Sequence, residues 1–127
     1  MTKQQVITNY GSLSLAYIGD AVYELLVRRY LLSTGLLDNG IMHRRAKEYV
    51  SAKSQAMFLQ KLTPHLTDDE LGVVRRGKNV KVHSHPKNAD LCDYHSATGF
   101  EALFGYLHLC GDNERIEQLF DIIVNGE

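Results

Sequence analysis

The chain has 127 residues, 44% of them hydrophobic, a formal net charge of −1 and two cysteines. Such a length and apolar content predict one domain, residues 1–127, with a core of its own, and exclude a disordered tail or a fibrous protein. No apolar run approaches the ~20 residues that cross a bilayer, the start Met1-Thr2-Lys3-Gln4-Gln5 is unlike a secretory leader, and Cys92 and Cys110, without CxxC spacing, read as free thiols of a reducing cytoplasm.

Periodicity is helical nearly throughout. Leu15, Ile18, Val22, Leu25, Leu26 and Leu32 form one stripe of a helix over roughly 13–33 that stops near Gly35. Asn39 or Gly40 starts a second helix that runs to about Leu62, with Ala46, Val50, Met57 and Leu62 inward, and Pro64 closes it. Thr67-Asp68-Asp69-Glu70 matches a capping box at the start of a short helix, and the polar stretch 77–89 reads as loop. Asp93 or Ser96 caps a helix over about 94–110 with Phe100, Leu103, Phe104 and Leu107 on its core face. Asp112 caps a last helix that ends near Asn125-Gly126, with Leu119, Ile122 and Ile123 turned inward. The only strand signal, Val80-Lys81-Val82, is a few residues long, so the predicted class is all-α.

Two features point to a site. The first is Gly19-Asp20 in a helix that is otherwise apolar: an ionised Asp is costly to bury without a partner, and Gly costs about 1 kcal/mol against Ala in a helix interior. Gly19 therefore earns its place by admitting another backbone or by leaving room beside Asp20. Ala16, Asp20 and Glu24 share a face of this helix, and Ala97, Thr98, Glu101 and Gly105 share a face of the later one. Should those faces meet, Asp20 and Glu101 converge where neither helix offers a cation. Two such carboxylates repel unless one keeps a proton or a divalent cation binds. Mg²⁺ takes a few carboxylate oxygens and fills its remaining positions with water and substrate phosphate. The second feature is charge distribution. From Leu71 to Ala89 there is no Asp or Glu, while five of the 14 cations, Arg75, Arg76, Lys78, Lys81 and Lys87, lie there. A positive patch on a nearly neutral chain suits a polyanion held at one place, with Asn79 and Asn88 available for hydroxyl or base-edge hydrogen bonds. His83-Ser84-His85 lacks a convincing third ligand, which makes it a weak transition-metal motif. Tyr17, Tyr23, Tyr94 and Tyr106 read as core or interface residues before base-stacking platforms.

Leu15-Ala16-Tyr17-Ile18-Gly19-Asp20-Ala21-Val22 resembles the signature helix of ribonuclease III, and Phe100-Glu101-Ala102-Leu103-Phe104-Gly105 resembles its second acidic helix. The resemblance covers essentially the whole chain as a catalytic domain of helical-bundle type, with no double-stranded-RNA-binding domain before the end at Glu127, and within the superfamily it is to the Mini-ribonuclease III group. It implies a homodimeric, Mg²⁺-dependent endonuclease of double-stranded RNA, with precursor 23S ribosomal RNA in the bacterial cytoplasm as substrate and a ribosomal protein on that RNA as a further partner. By the same resemblance Asp20 and Glu101 are the retained metal-binding and catalytic carboxylates, Glu24 is a possible water-mediated helper one turn beyond Asp20, and Gly19 lets two signature helices pack closely at the dimer axis. Arg75, Arg76, Lys78, Asn79, Lys81, Lys87 and Asn88 are the expected RNA contacts. The family's first glutamate stands here as Ala16, and the aspartate three places before its second glutamate stands as Thr98.

Loss of carboxylates at 16 and 98 favours a rival, a non-catalytic RNA-binding member of the fold serving ribosome assembly. Retention of Asp20 and Glu101 opposes it. A helical protein-interaction domain is a third class, and it leaves the acid-free basic segment unexplained.

Overall fold

The structure, a computed structural model, describes residues 1–81 and 90–126. The His83-Ser84-His85 motif, Val82, Lys87 and Asn88 fall outside the described residues. Among those described there are seven α-helices, one 3-10 turn and no strand: α1 Lys3–Asn9, α2 Ser12–Ser33, α3 Asn39–Val50, α4 Ala52–Leu62, the turn Thr63–His65, α5 Asp68–Lys78, α6 Leu91–Leu109 and α7 Asn113–Asn125. The all-α expectation holds. No helix of the described residues is long and apolar enough to cross a membrane.

α6 is the axis of the fold, with α2, α5 and α4 packed most extensively around it. From Ala97 to Leu107 every residue of α6 is buried except Glu101, which is half-buried. A helix apolar all round belongs in the centre of a bundle rather than on its surface, so the two-faced reading of this segment gives way to a fully enclosed helix with one polar opening. Tyr23 of α2 fills the middle of the core, edge-on to Phe100 with ring centroids 4.8 Å apart and close to Phe104 and Phe120. Tyr106 is also a core residue, while Tyr17 is 84% exposed.

Several boundaries differ from the sequence expectation, each for a local reason. The second predicted helix is two, because Ser51 adopts an extended conformation, closes α3 and caps α4 by accepting from the Ser54 N–H. α6 begins earlier because Asp90, rather than Asp93 or Ser96, accepts from the backbone N–H groups of Cys92 and Asp93. Arg75, Arg76 and Lys78 sit in the last turn of α5 and Asn79 is its C-cap, so this part of the basic segment is helix, not loop. There the cations also complement the negative end of the helix, opposite Asp68, Asp69 and Glu70 at its start. α1 went unpredicted, although Thr2 and Gln5 form a complete capping box and Val6 is fully buried. Leu25, Leu32 and Met57 are exposed rather than inward; the buried stripe of α2 runs through Leu15, Ala16, Gly19, Tyr23, Leu26, Val27 and Leu31.

The capping box at Thr67–Glu70 is present, and Glu70 does a second job. Its carboxylate takes a bidentate pair of hydrogen bonds from Arg115 of α7, at 2.9 and 2.8 Å, and the same guanidinium donates to the His65 carbonyl at 2.7 Å. Burial alone raises the Glu70 pKa; the Arg115 and Thr67 bonds outweigh it and hold the carboxyl below its ordinary range. Arg115→Met strands that buried carboxylate and should cost about 3 kcal/mol at pH 7. Because the folded-state pKa is lowered, this stabilisation is present above about pH 4.5 and fades as pH falls further. Urea unfolding at pH 7 and pH 3 should therefore show a large gap between wild type and variant at the first pH and a small one at the second; equal gaps refute the assignment.

Candidate functional site

Gly19 and Gly105 decide how closely α2 approaches α6. A Cβ at Gly19 would lie 1.7 Å from the Glu101 carbonyl oxygen, and one at Gly105 would lie 1.9 Å from the Leu15 carbonyl oxygen. Neither position admits a side chain, so the two helices cross backbone against backbone. Of the two uses foreseen for Gly19, close approach by another backbone is the one seen, and the backbone belongs to the same chain. Gly19 is buried against α6 of its own chain.

The crossing brings Asp20 and Glu101 together, within hydrogen-bonding contact of each other. Asp20 is exposed and Glu101 half-buried, so the pair opens to solvent at the one polar break in α6. Burial first, and then the charge and hydrogen bond of Asp20, push the Glu101 carboxyl up to about 8; a hydrogen bond from Gln55 acts the other way. Ala16 and Thr98 are both buried nearby on the same two helices, with the Thr98 hydroxyl donating to the Tyr94 carbonyl. Glu24, one turn past Asp20, is half-exposed and its carboxylate accepts from Arg28 at 2.8 Å. It is therefore engaged by a cation of its own helix rather than by the acidic pair.

Two converging carboxylates with a net repulsion and an opening to water form a donor set that fits a hard divalent cation. No third Asp, Glu, His or Cys joins them among the described residues, so water and substrate oxygens would supply most of the remaining coordination.

Sequence reasoning missed Gln55. It is buried on α4, donating through Nε2 to the Val50 carbonyl at 3.2 Å and to a Glu101 carboxylate oxygen at 3.4 Å. The available signal was its place on one stripe with Leu59 and Leu62, where a polar residue needs a reason.

The basic residues are fastened to the same scaffold. Arg75, Arg76, Lys78, Asn79 and Lys81 are all exposed at and just beyond the end of α5. That end lies tight on α6: a Cβ at Gly77 would meet the Gly99 Cα at 2.8 Å, and one at Gly99 would meet the Lys78 Cγ at 2.9 Å. Gly99 is two residues from Glu101, so the end of α5 that carries these cations packs on α6 beside the stretch that carries Glu101.

Residues 13–112 match the family model of the Ribonuclease III domain. The chain is 47% identical to a Mini-ribonuclease 3 of Brevibacillus brevis, over 100% of this chain and 96% of that protein. It is 48% identical to a Mini-ribonuclease 3 of Symbiobacterium thermophilum, over 91% and 92% respectively. A crystal structure of a protein from Fusobacterium nucleatum superposes with a TM-score of 0.85 at 31% identity, covering 94% of this chain and 96% of that one.

The raised Glu101 pKa has a thermodynamic sign. Without a divalent cation, the folded protein keeps a proton that the unfolded chain releases near 4.5, so stability falls as pH rises from about 4.5 to about 8. Glu101→Gln removes this dependence and should stabilise the protein in EDTA at pH 8 by about 1 kcal/mol or more. Urea unfolding at pH 5 and pH 8 checks it; a variant that keeps the wild-type slope with pH overturns the assignment.

Proposed function

The chain belongs to the ribonuclease III domain family, among the Mini-ribonuclease 3 proteins, and on that premise we propose that it is an Mg²⁺-dependent endoribonuclease that cuts double-stranded RNA. The observation that carries this reading is the convergence of Asp20 and Glu101 at the solvent-open break in α6. Asp20 and Glu101 are the residues that would hold Mg²⁺, and the ion supplies, when bound, Lewis-acid stabilisation of the phosphoryl oxygens and a more acidic water. The reaction adds one water across the P–O3′ bond and leaves 5′-phosphate and 3′-hydroxyl ends. No side-chain nucleophile is required for it.

The chain's own residues bind and orient the duplex. A-form RNA offers phosphates and 2′-hydroxyls across a shallow minor groove, so recognition is by shape and charge. Arg75, Arg76, Lys78 and Lys81 supply the cations for phosphate oxygens, and Asn79 supplies a hydrogen-bonding amide. Lys87 and Asn88 extend the same set in sequence. Glu24 is assigned no direct part, since Arg28 engages it.

The functional unit we assign is a homodimer. Leu13, Tyr17 and Leu25 are more than half exposed on α2, the helix that also carries Asp20, and a second copy covers such an apolar face. Two sites, each cutting one strand, then give a double-strand break. The family resemblance supports precursor 23S ribosomal RNA in the cytoplasm as the substrate, with a ribosomal protein on that RNA as a partner. The absence of carboxylates at Ala16 and Thr98 favours the non-catalytic rival. Incubation of the protein with structured RNA in Mg²⁺ or EDTA separates the two, defined fragments in Mg²⁺ alone being the result expected of the enzyme.

Asp20→Asn or Glu101→Gln should lower the cleavage rate at least a hundredfold while RNA binding, measured by filter retention, stays within a few-fold of wild type; robust cutting by Asp20→Asn in Mg²⁺ discards the site. Triple alanine replacement of Arg75, Arg76 and Lys78 should weaken RNA binding and make the dependence of log affinity on log salt shallower by about two to three, near one unit for each lost phosphate contact. An unchanged affinity removes these residues from the interface.

A further inference from the structure

Gln55 is only 2% exposed. A polar side chain so deep costs free energy unless its groups are satisfied, and Gln55 is satisfied on one side only. Its Nε2 donates to the Val50 carbonyl at 3.2 Å and to the Glu101 Oε2 at 3.4 Å, whereas its Oε1 is buried with no hydrogen-bond partner among the described residues. The Val50 carbonyl can only accept, so it is the amide nitrogen that must face these two oxygens. Methionine or leucine would fill the same volume without the orphaned oxygen. A bond to Val50, five residues back, accounts for one amide hydrogen; the other points at a carboxylate on a different helix.

We infer that Gln55 is a positioning residue: it holds the Glu101 carboxylate in the orientation in which Glu101 and Asp20 together take up a divalent cation. This rests on the reading of Asp20 and Glu101 as a cation-holding pair. The anchor on the other side of the amide is rigid. Val50 ends α3, Ser51 caps both α3 and α4, and the adjoining Tyr49 carbonyl accepts from the Tyr23 hydroxyl of α2 at 2.9 Å. The corner between α3 and α4 is thus fastened to α2, and through the Gln55 amide it reaches Glu101 on α6. The 3.4 Å separation is at the long end for a hydrogen bond, so a small turn of the carboxylate toward the amide strengthens the bond and a turn away loses it. Groups that orient a metal ligand in this way typically change metal affinity or activity 10- to 100-fold when removed.

The test uses Gln55→Met, which keeps length and volume but removes the donor. Mn²⁺ binding to the RNA-free protein is measured by the electron paramagnetic resonance signal of free Mn²⁺, beside wild type, Asp20→Asn and the remote, destabilised Arg115→Met. Gln55→Met is expected to weaken Mn²⁺ binding about tenfold and to lower kcat for RNA cleavage about tenfold in saturating Mg²⁺, with KM within twofold of wild type. Arg115→Met should unfold more easily yet bind Mn²⁺ like wild type. Wild-type Mn²⁺ affinity in Gln55→Met, alongside loss of binding in Asp20→Asn, overturns the positioning role. Wild-type Mn²⁺ affinity in Asp20→Asn overturns the cation pair instead. Should Gln55→Met fail to fold, the side-chain amide resonances of Gln55 in ¹⁵N-labelled wild type must shift on addition of Mg²⁺ and stay put in Asp20→Asn; no shift in wild type is fatal to the role.

Discussion

The structure depends on two helices touching through their backbones. Without side chains at Gly19 and Gly105, α2 sinks onto α6 until carbonyl oxygens stand where Cβ atoms would be. That approach is what places Asp20 against Glu101, since each acid is the immediate neighbour of a contact point: Asp20 follows Gly19, and the Glu101 carbonyl is what Gly19 faces. The helix propensity lost at two glycines, about 1 kcal/mol each, is offset by the dispersion and apolar burial of a close helix pair around Tyr23, Phe100 and Phe104. Widening the crossing would relieve the carboxylates at the expense of that packing. Packing wins, and the acids are held together.

Holding them together is locally unfavourable. Glu101 is the sole residue of the central stretch of α6 that is not fully buried, and among the described residues it shares its opening with a second carboxylate and no cation. Proteins tolerate such conflicts mainly at functional sites, where a bound group resolves them. The neighbours are consistent with that account. Positions 16 and 98 carry Ala and Thr, which add no further charge, and the Thr98 hydroxyl is occupied by its own helix. Gln55 adds a side-chain donor to the carboxylate from a third helix.

How much of this was legible in the sequence depended on whether the deciding forces were local. Glycine beside aspartate on an apolar helix, and Glu101 among small residues, are local patterns, and both pointed to the two carboxylates that the fold brings together. The capping boxes at Thr67 and the cap at Asp112 are local too and are found in place. Ser51 was missed because a serine without Gly or Pro beside it is compatible with helix interior as well as with a cap, and the corner it makes is held by the Tyr23 bond to the Tyr49 carbonyl and the Gln55 bond to the Val50 carbonyl. Leu25, Leu32 and Met57 looked inward because they are large and apolar at helical spacing; their exposure follows from which face of α2 the glycines turn toward α6. Gln55 was passed over because a polar residue on an apolar stripe signals only that a reason exists; the reason, a partner 46 residues away, is supplied by the fold.

One consequence of the packing concerns how binding and chemistry are joined. The end of α5 is locked to α6 by Gly77 against Gly99, a second place where missing side chains let two helices meet. Its exposed cations are therefore fixed relative to Glu101 by rigid helix, not by a tether whose length would let the RNA wander. On the proposed reading, a phosphate backbone held by Arg75, Arg76 and Lys78 would lie at a set distance from the acidic pair, which is what orientation of a scissile bond requires. The charges themselves remain on a different helix, away from the α2–α6 crossing. Surface changes on α5 can alter affinity without disturbing the carboxylates, and changes at the crossing can silence chemistry while the cationic surface stays intact. Separate elements bear the two proposed tasks, and α6, packed against both, sets the geometry between them.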